Sequence, residues 1–277
     1  MSEDYRRFIR LSQLPHVWCP GCGNGTIVKA LLQSIGDLGL VQDQVVVVSG
    51  IGCSGRTPFV LDFNTMHTTH GRALAFAAGV KLANQALHVI VIMGDGDASA
   101  IGGNHFIHAC RRNLKLTALI FNNGIYGLTG GQQAPTTPTG KRTTTSLAGS
   151  IEPAFDLVRL ALGAGAGFVA RTTSFDHKQM TSYFSQAISH PGFAVVDVIT
   201  SCPTYFGRMN DVGEPYDLLH YLRDSTAPRD VCSGDTAFAP GADRMPTGVF
   251  RCETRDEYGD LCRRKIEAAV EKAGVAV

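Results

Sequence analysis

Two sets of residues have the types and spacing that cofactor chemistry requires. The first set is Gly94-Asp95-Gly96, followed 25 residues later by Asn122-Asn123. Carboxylate and amide oxygens are hard donors that suit Mg²⁺, which shares its coordination with phosphate oxygens. The glycines let the backbone approach a pyrophosphate, and a helix predicted to follow them directs its N–H groups at it. The alternative is a pair of tight turns, because each half alone is common by chance.

The second set consists of four cysteines. Cys19 and Cys22 form a pair just before the first predicted helix, whose positive end favours thiolates. Cys53 and Cys202 lie on loops that follow two predicted strands. One close pair and two remote cysteines can make a four-thiolate site, which takes either Zn²⁺ or an iron–sulfur cluster. A thioredoxin-type redox pair is a further alternative, but that fold places its pair after an initial βαβ unit, whereas 18 residues precede Cys19 here.

The composition narrows the class of protein. Lysine and arginine total 25 against 24 aspartates and glutamates in 277 residues, and this net charge of +1 argues against nucleic acid or an anionic membrane as a partner. At 44% hydrophobic and 18% charged residues, the chain is typical of a well-buried globular protein. The longest apolar runs are strand-sized and the first 18 residues lack an apolar signal core, so we expect a cytoplasmic protein.

The other four cysteines need a separate interpretation, because stable disulfides are not expected in a reducing compartment. Cys110 lies on a predicted helix and is expected to be a small core residue. Cys232, Cys252 and Cys262 lie in the C-terminal extension, where the sequence predicts no ligand geometry.

Short apolar runs alternate with helical patterns along most of the chain. This alternation is typical of a parallel sheet wound by crossover helices, and nearly continuous apolar strands are expected where helices cover both faces. We therefore predict an α/β fold with a mostly parallel sheet and helices on both faces. The predicted strands are 44–49, 88–93, 116–121, 193–199 and, with a weaker pattern, 167–170. The predicted helices are 23–34, 70–85, 98–113, 153–161 and 175–189.

The candidate residues follow the ends of four predicted strands. Cys53 follows the first of them, Asp95 the next, Asn123 the third and Cys202 the last. In an open parallel sheet, ligands bind in the crevice beyond the carboxyl ends of the strands. The sequence therefore predicts that both sets of residues lie at one edge of the sheet.

Two segments break the alternation. Residues 128–150 are too long and polar for an ordinary connection, so they are predicted to be either mobile or a functional loop. Residues 209–277 are richer in charge, Pro and Gly, and are predicted to be an extension that packs on the main domain, 1–208, or on a partner. Within the extension, 254–273 is predicted to form a surface helix.

Taken together, the two sets resemble those of the β subunit of the 2-oxoacid:ferredoxin oxidoreductases, most like the members that use 2-oxoglutarate. The spacing of the first set resembles the thiamin-diphosphate motif. The resemblance covers most of residues 16–208 and rests on the motifs HVWCPGCGNG, GIGCSGR, HTTHGRALAFAAGVKLAN, GDGDASAIGGNHFIHACRRN, NNGIYGLTGGQ and SCPTYFGR. It implies a thiamin-diphosphate-binding domain of the diphosphate type.

The resemblance also implies which residues hold the cofactors. A [4Fe–4S] cluster is implied on Cys19, Cys22, Cys53 and Cys202. Mg²⁺ is implied on Asp95, Asn123 and the backbone carbonyl of Ile125. Thiamin diphosphate is implied against Ile51, Gly52, Cys53, Ser54, His70, Gly96, Asp97, Ala98, Ser99, Gly127 and Leu128.

Three of the residues near this site are catalytic candidates: Arg56, His70 and Asp97. Arg56 can fork two hydrogen bonds onto the substrate carboxylate, and its alternative role is an ion pair with an acidic neighbour such as Asp62. His70 begins a helix rich in small residues, so its alternative role is to cap or pack there.

The implied activity is the coenzyme A-dependent oxidative decarboxylation of a 2-oxoacid, with 2-oxoglutarate favoured, and the electrons pass through the cluster to ferredoxin. The chain has no C-x-x-C-x-x-C-x-x-x-C-P run, so one cluster per chain is expected. Two alternatives remain from other classes. One is a thiamin-dependent lyase or carboligase component with structural zinc, and the other is a non-catalytic metal-binding interaction subunit.

A partner subunit is expected as well. Thiamin enzymes place a glutamate against the aminopyrimidine ring, and this sequence has no glutamate between Glu3 and Glu152. We therefore expect an α or fused α/γ subunit to supply that glutamate, in a heterotetramer or a larger complex.

Overall fold

The structure is a computed structural model that describes residues 5–228 and 244–273. Its strands are β1 (Val45–Ser49), β2 (Asn64–His67), β3 (His88–Gly94), β4 (Thr117–Asn122), β5 (Ile125–Tyr126), β6 (Gln132–Gln133), β7 (Phe168–Thr173), β8 (Ala194–Ile199), β9 (Thr226–Pro228) and β10 (Met245–Cys252). Eight of them form one sheet in the order β2-β1-β3-β4-β8-β7-β10-β9, and β5 and β6 form a separate hairpin. Neighbours from β2 to β7 are parallel, which confirms the predicted sheet.

Helices cover both faces of this sheet. They are α1 (Asn24–Asp37), α2 (Thr57–Val60), α3 (Ala73–Ala83), α4 (Gly103–Arg112), α5 (Leu157–Gly163), α6 (His177–Ser189), α7 (Pro215–Asp224) and α8 (Tyr258–Ala273). Successive side chains of a strand point to opposite faces, so Val45 and Val47 pack in the core with α1 and α6. Val46 and Val48 pack in the opposite core with α3, α4 and α5. The continuous run of valines thus reflects a strand that is buried on both sides.

The sheet is wider than the sequence predicts. β2 is missing from the predicted strands because its burial pattern is mostly exposed, as suits a short edge strand, and it has no apolar run. β10 lies in the C-terminal extension and pairs antiparallel with β7, where Val249 lies opposite Ala170. The extension also contacts the main domain through the Asn113 amide, which donates to the carbonyl of Asp256 at 3.1 Å. A division of the chain at residue 208 stays a prediction.

The bounds of several predicted helices differ from those in the structure. The prediction of a helix over 153–161 is wrong at its start, because α5 begins at Leu157, where the Asp156 carboxylate caps the amide of Val158 at 3.0 Å. The predicted helix 98–113 is divided into a π-helical turn, Asp97–Ile101, and α4. The predicted helix over 254–273 starts at Tyr258 in the structure.

The long polar loop at 128–150 is ordered by hydrogen bonds within itself. The amide of Ser150 donates to the carbonyl of Lys141 at 2.8 Å, and the amide of Thr144 donates to the carbonyl of Gly131 at 2.9 Å. Within the described ranges, no helix is long and apolar enough to cross a membrane.

Candidate functional site

Four adjacent strands deliver the candidate residues to one edge of the sheet. β1, β3, β4 and β8 are neighbours, with Gly94 beside Phe121 and Asn122 beside Ile199. The loops that follow these strands carry Cys53, Asp95, Asn123 and Cys202. The structure therefore brings together the two sets of residues that the sequence analysis singled out.

A cleft among these loops, here called the strand-end cavity, is lined by nearly all of the predicted cofactor residues. It is lined by Asp95, Asn123, Ile125, Ile51, Gly52, Cys53, Ser54, His70, Gly96, Asp97, Gly127 and Leu128. The side chains of Ala98 and Ser99 lie elsewhere: Ala98 packs in the core, and the Ser99 hydroxyl donates to the carbonyl of Asp95 at 2.6 Å. Neither residue lines the strand-end cavity.

Asp95 has the properties of a buried cation ligand. Its side chain is almost completely buried, and burial raises its pKa from 3.8 to about 6. Its carboxylate accepts a hydrogen bond from the Thr136 hydroxyl. The side-chain oxygen of Asn123 accepts from the amide of Ile125 at 3.2 Å, which fixes the orientation of that side chain. A divalent cation here would stabilise the ionised carboxylate, and the oxygen donors fit Mg²⁺.

Three buried polar atoms of the strand-end cavity lack a hydrogen-bond partner among the described residues. They are Asn24 Oδ1, Ser54 Oγ and Asp97 Oδ2. Buried polar atoms without partners are rare in folded proteins. Three of them around one cavity indicate that a polar ligand completes their hydrogen bonds, and this fits a diphosphate-bearing cofactor.

Asp97 fixes the orientation of His70. The Asp97 carboxylate accepts from His70 Nδ1 and from the amide of Gly71, the latter at 2.7 Å, and burial raises its pKa. With Nδ1 engaged, Nε2 is the imidazole nitrogen left for a ligand. The imidazole meets the ring of Tyr126 edge-on, with 6.1 Å between the ring centroids. α3 begins only at Ala73, so His70 does not cap it.

The four predicted cluster ligands line a second cavity of about 620 Å³, here called the thiol cavity. Burial, together with the neighbouring thiols, raises the pKa of Cys22 to about 12 and that of Cys53 to about 11. Thiolates therefore form here only when a cationic group compensates them. In the part of the chain that the structure describes, no three His, Cys, Asp or Glu side chains converge on one metal ion. Four thiols that line one cavity are the ligand type that both Zn²⁺ and iron–sulfur clusters use.

One glycine is required by this arrangement, and a second lies close to two of the thiols. A Cβ on Gly23 would lie 2.0 Å from Thr200 Oγ1, so glycine lets the start of α1 lie against the end of β8, next to Cys202. A Cβ on Gly127 would lie 3.4 Å from the sulfur of Cys202 and 3.5 Å from that of Cys53. These are ordinary van der Waals distances, and they show that Gly127 lies against both sulfurs.

Trp18 holds the N-terminal cysteine pair in place. Its indole N–H donates to the carbonyl of Cys53 at 2.7 Å, and its side chain is buried. The hydroxyl of Ser201 donates to the carbonyl of Gly21 at 3.1 Å. These two hydrogen bonds connect the pair to the loops that carry Cys53 and Cys202.

Arg56 lies on the wall of the thiol cavity and not in the strand-end cavity. Its guanidinium carbon is 5.7 Å from the ring centroid of Phe59. The alternative ion pair with Asp62 does not form, because Asp62 pairs with Arg10 at 3.7 Å.

Three of the remaining cysteines lie away from both cavities. Cys110 is fully buried in the core, which confirms its structural interpretation. Cys252 is exposed on β10 and Cys262 is partly exposed on α8. Cys232 lies outside the described residues.

The two cavities share a wall. Cys53, Asn123, Gly127 and Leu128 line both of them. A group held by the four thiols therefore neighbours a group held by Asp95 and Asn123.

Sequence reasoning missed four residues of this site. Trp18 and Asn24 lie within the motif HVWCPGCGNG, and Tyr126 lies within NNGIYG, so proximity to those motifs was a usable signal. Thr136 has no such signal, because only the fold of the long loop brings it to Asp95.

Comparisons with known proteins agree with this geometry. Residues 44–198, more than half of the chain, match the thiamine pyrophosphate enzyme C-terminal TPP-binding domain. The 2-oxoglutarate synthase subunit KorB of Archaeoglobus fulgidus is 49% identical over 260 residues, which cover 93% of this chain and 92% of that protein. Its counterpart from Methanothermobacter marburgensis is 43% identical over 274 residues, 99% of this chain and 94% of that protein.

Two further proteins are similar to this chain, one a relative by sequence and the other a solved structure. The 2-oxoacid:ferredoxin oxidoreductase subunit beta of Saccharolobus solfataricus is 47% identical over 211 residues, 75% of this chain and 68% of that protein. The solved structure is the 2-oxoglutarate:ferredoxin oxidoreductase of Magnetococcus marinus with 2-oxoglutarate, coenzyme A and succinyl-CoA bound. It is 31% identical to this chain and superposes with a TM-score of 0.86. The match covers 99% of this chain and 92% of that chain. The chain therefore belongs to the β subunits of the 2-oxoacid:ferredoxin oxidoreductases, enzymes with a TPP-binding domain.

Proposed function

We propose that this chain is the subunit of a coenzyme A-dependent 2-oxoglutarate:ferredoxin oxidoreductase that binds thiamin diphosphate through Mg²⁺ and carries one [4Fe–4S] cluster. The observation that carries the proposal is the shared wall between the strand-end cavity and the thiol cavity. When bound, thiamin diphosphate supplies the carbanion stabilisation that 2-oxoacid decarboxylation needs, and the cluster accepts electrons singly. The shared wall supports a proposal in which these two chemistries occur side by side.

The candidate residues at the end of β3 and of β4 have separate roles in this proposal. Asp95, Asn123 and the carbonyl of Ile125 would hold Mg²⁺. The π-helical turn Asp97–Ile101 follows Gly96 directly and presents its first amides at the end of β3. Such amides and a nearby cation are the groups that bind a diphosphate.

The arrangement of the thiols supports a cluster over structural zinc. Cys19, Cys22, Cys53 and Cys202 surround a cavity that has room for four iron and four sulfide ions. Arg56 is the charged residue on the wall of that cavity, and a cation there offsets the negative charge that four thiolates bring.

The cofactor site of this chain is incomplete, and this supports the proposal that a partner subunit completes it. The strand-end cavity holds about 70 Å³, well below the roughly 300–1,000 Å³ of a complete ligand pocket. No glutamate of the described ranges lines it or the thiol cavity. We therefore place the aminopyrimidine-side glutamate on an α or fused α/γ subunit, in a heterotetramer or a larger complex that passes electrons to ferredoxin.

The substrate is proposed from the relatives and from charge. The two KorB relatives described above, at 43% and 49% identity, are named for 2-oxoglutarate, and the Magnetococcus marinus enzyme was solved with it. Arg56 is a candidate to meet one of the two carboxylates of this substrate, because a guanidinium binds carboxylates bidentately. The four unpaired thiols suit a reducing compartment, so we place the enzyme in the cytoplasm.

The purified chain alone is expected to show no turnover, whereas its complex with the partner subunit oxidises 2-oxoglutarate. The measurement is the reduction of ferredoxin in the presence of coenzyme A, for the chain and for the complex purified under anaerobic conditions. A panel of other 2-oxoacids is the control for substrate choice. Turnover by the chain alone would contradict the need for a partner subunit. A colourless complex that contains zinc would contradict the redox function.

Replacing His70 by asparagine is expected to lower kcat of the complex by about 100-fold, the lower end of the range for proton-transferring residues. The imidazole that Asp97 holds is the titratable group of the strand-end cavity best placed to move a proton. His67→Asn is the matched control, because His67 Nδ1 contacts Ser49 Oγ at 2.9 Å and lines neither cavity. Equal kcat values for the two variants would remove His70 from the mechanism.

A further inference from the structure

We infer that Thr136 is a positioning residue for the metal ligand Asp95, and that the 128–150 loop thereby forms part of the metal site. This inference rests on the proposed function, because it assigns Asp95 to Mg²⁺. It adds a residue that lies outside all of the motifs on which the family resemblance rests.

The contact that carries the inference crosses from the loop to the end of β3. The Thr136 hydroxyl donates to Oδ2 of Asp95. The Thr136 side chain is 7% exposed and that of Asp95 is 2% exposed, so water does not compete for this hydrogen bond. An ionised carboxylate only accepts hydrogen bonds, and a hydroxyl on one oxygen fixes the direction of the other.

The neighbouring residue keeps Thr136 in this position. The Thr137 hydroxyl donates to the carbonyl of Gly124 at 2.6 Å and accepts from the amide of Ala134 at 2.9 Å. Gly124 lies directly between Asn123 and Ile125, so the loop is anchored to the same turn that supplies the other two metal ligands. One short stretch of the loop thus contacts both the Asp95 strand end and the Asn123 strand end.

The physical consequence is pre-organisation of the metal site. Partners that hydrogen-bond to a metal-ligating carboxylate hold it in the binding orientation, and losing one of them typically costs about 10–100-fold in metal affinity. Without the Thr136 hydroxyl, Asp95 keeps only its weaker hydrogen bonds to backbone amides, so part of the free energy of orienting the carboxylate has to come from metal binding.

The test measures metal binding directly. The complex of this chain with its partner is stripped of metal with a chelator, and Mn²⁺ is titrated in the presence of saturating thiamin diphosphate. Free Mn²⁺ is followed by its electron paramagnetic resonance signal. We expect Thr136→Val to raise the Kd for Mn²⁺ by about 10–100-fold, and Thr136→Ser to keep the wild-type Kd because it retains the hydroxyl.

The matched control is Thr139→Val. Thr139 lies on the same loop, and its hydroxyl donates to the carbonyl of Glu152 at 3.0 Å on the exposed side, away from Asp95. This variant removes one loop hydrogen bond by the same chemical change and should keep the wild-type Kd. If Thr136→Val does not fold, Thr136→Ala tests the same loss with a smaller side chain.

Each outcome separates this inference from the proposed function. A wild-type Kd in Thr136→Val or Thr136→Ala, or equal weakening in Thr139→Val, would overturn the role of Thr136 alone. If Thr136→Ser weakens Mn²⁺ binding as much as Thr136→Val does, the effect comes from packing and not from the hydroxyl. That result would also overturn the role of Thr136. A wild-type complex that binds no Mn²⁺ with thiamin diphosphate would overturn the proposed metal site itself.

Discussion

Replacing Asp95 by asparagine is expected to abolish turnover of the complex and, at the same time, to stabilise the cofactor-free chain. Turnover is lost because the amide lacks the negative charge that a carboxylate gives to Mg²⁺, and Asp95 is the charged member of the proposed ligand set. We expect at least a 1,000-fold fall, about 4 kcal/mol, in kcat/KM. Calorimetric titration with thiamin diphosphate and Mg²⁺ should show no binding in the same variant.

The gain in stability follows from the burial of the same carboxylate. Its pKa is raised from 3.8 to about 6 by burial, so between these values the folded chain binds more protons than the unfolded chain. The free energy of unfolding therefore falls as the pH rises through this window, and the full penalty is present above about pH 6. It amounts to about 3 kcal/mol at pH 7.

Asparagine removes this penalty only at pH values at which the wild-type carboxyl is ionised. The melting temperature of the cofactor-free Asp95→Asn chain should exceed that of wild type by several degrees at pH 7, and the difference should shrink as the pH falls from 6 towards 4. Asp62→Asn is the control, because Asp62 is an exposed partner of Arg10. Equal melting temperatures of Asp95→Asn and wild type at pH 7 would show that Asp95 is not a destabilising buried charge.

Replacing Cys22 by serine is expected to remove the cluster and with it the reduction of ferredoxin. Cys22 lies at the start of α1, where the backbone amide of Asn24 donates to its sulfur, and burial together with three nearby thiols raises its pKa to about 12. A serine hydroxyl ionises even less readily and is a poor ligand for iron. Iron content should fall from about four per chain to near zero in the anaerobically purified variant.

The control for Cys22→Ser is Cys252→Ser. Cys252 lies on β10, exposed and away from both cavities, so the same chemical change there should leave iron content and the visible spectrum unaltered. A Cys22→Ser protein with full iron content and wild-type electron transfer would exclude Cys22 as a ligand. Zinc in place of iron in the wild-type protein would favour the lyase alternative.

The strand ends of this fold could be predicted because the relevant signals are local. Runs such as the valines of β1 are apolar on both faces, and parallel strands place their carboxyl ends at a common edge. These two facts suffice to place Cys53, Asp95, Asn123 and Cys202 at one edge of the sheet, and the strand order then makes their four strands neighbours. β2 was not predictable in this way, because a short, mostly exposed edge strand depends on its pairing with β1 and has no apolar pattern of its own.

By itself, the sequence determined the fold class, the two sets of candidate ligands and the expectation of a partner, because each follows from residue type, spacing or the missing glutamate. Only the tertiary structure decided that Asp97 orients His70, that Thr136 contacts Asp95 and that Arg56 belongs to the thiol cavity. These contacts join residues 27 or 41 positions apart in the first two cases. Such contacts depend on how loops fold over the sheet edge, and no local pattern encodes where a long loop turns back.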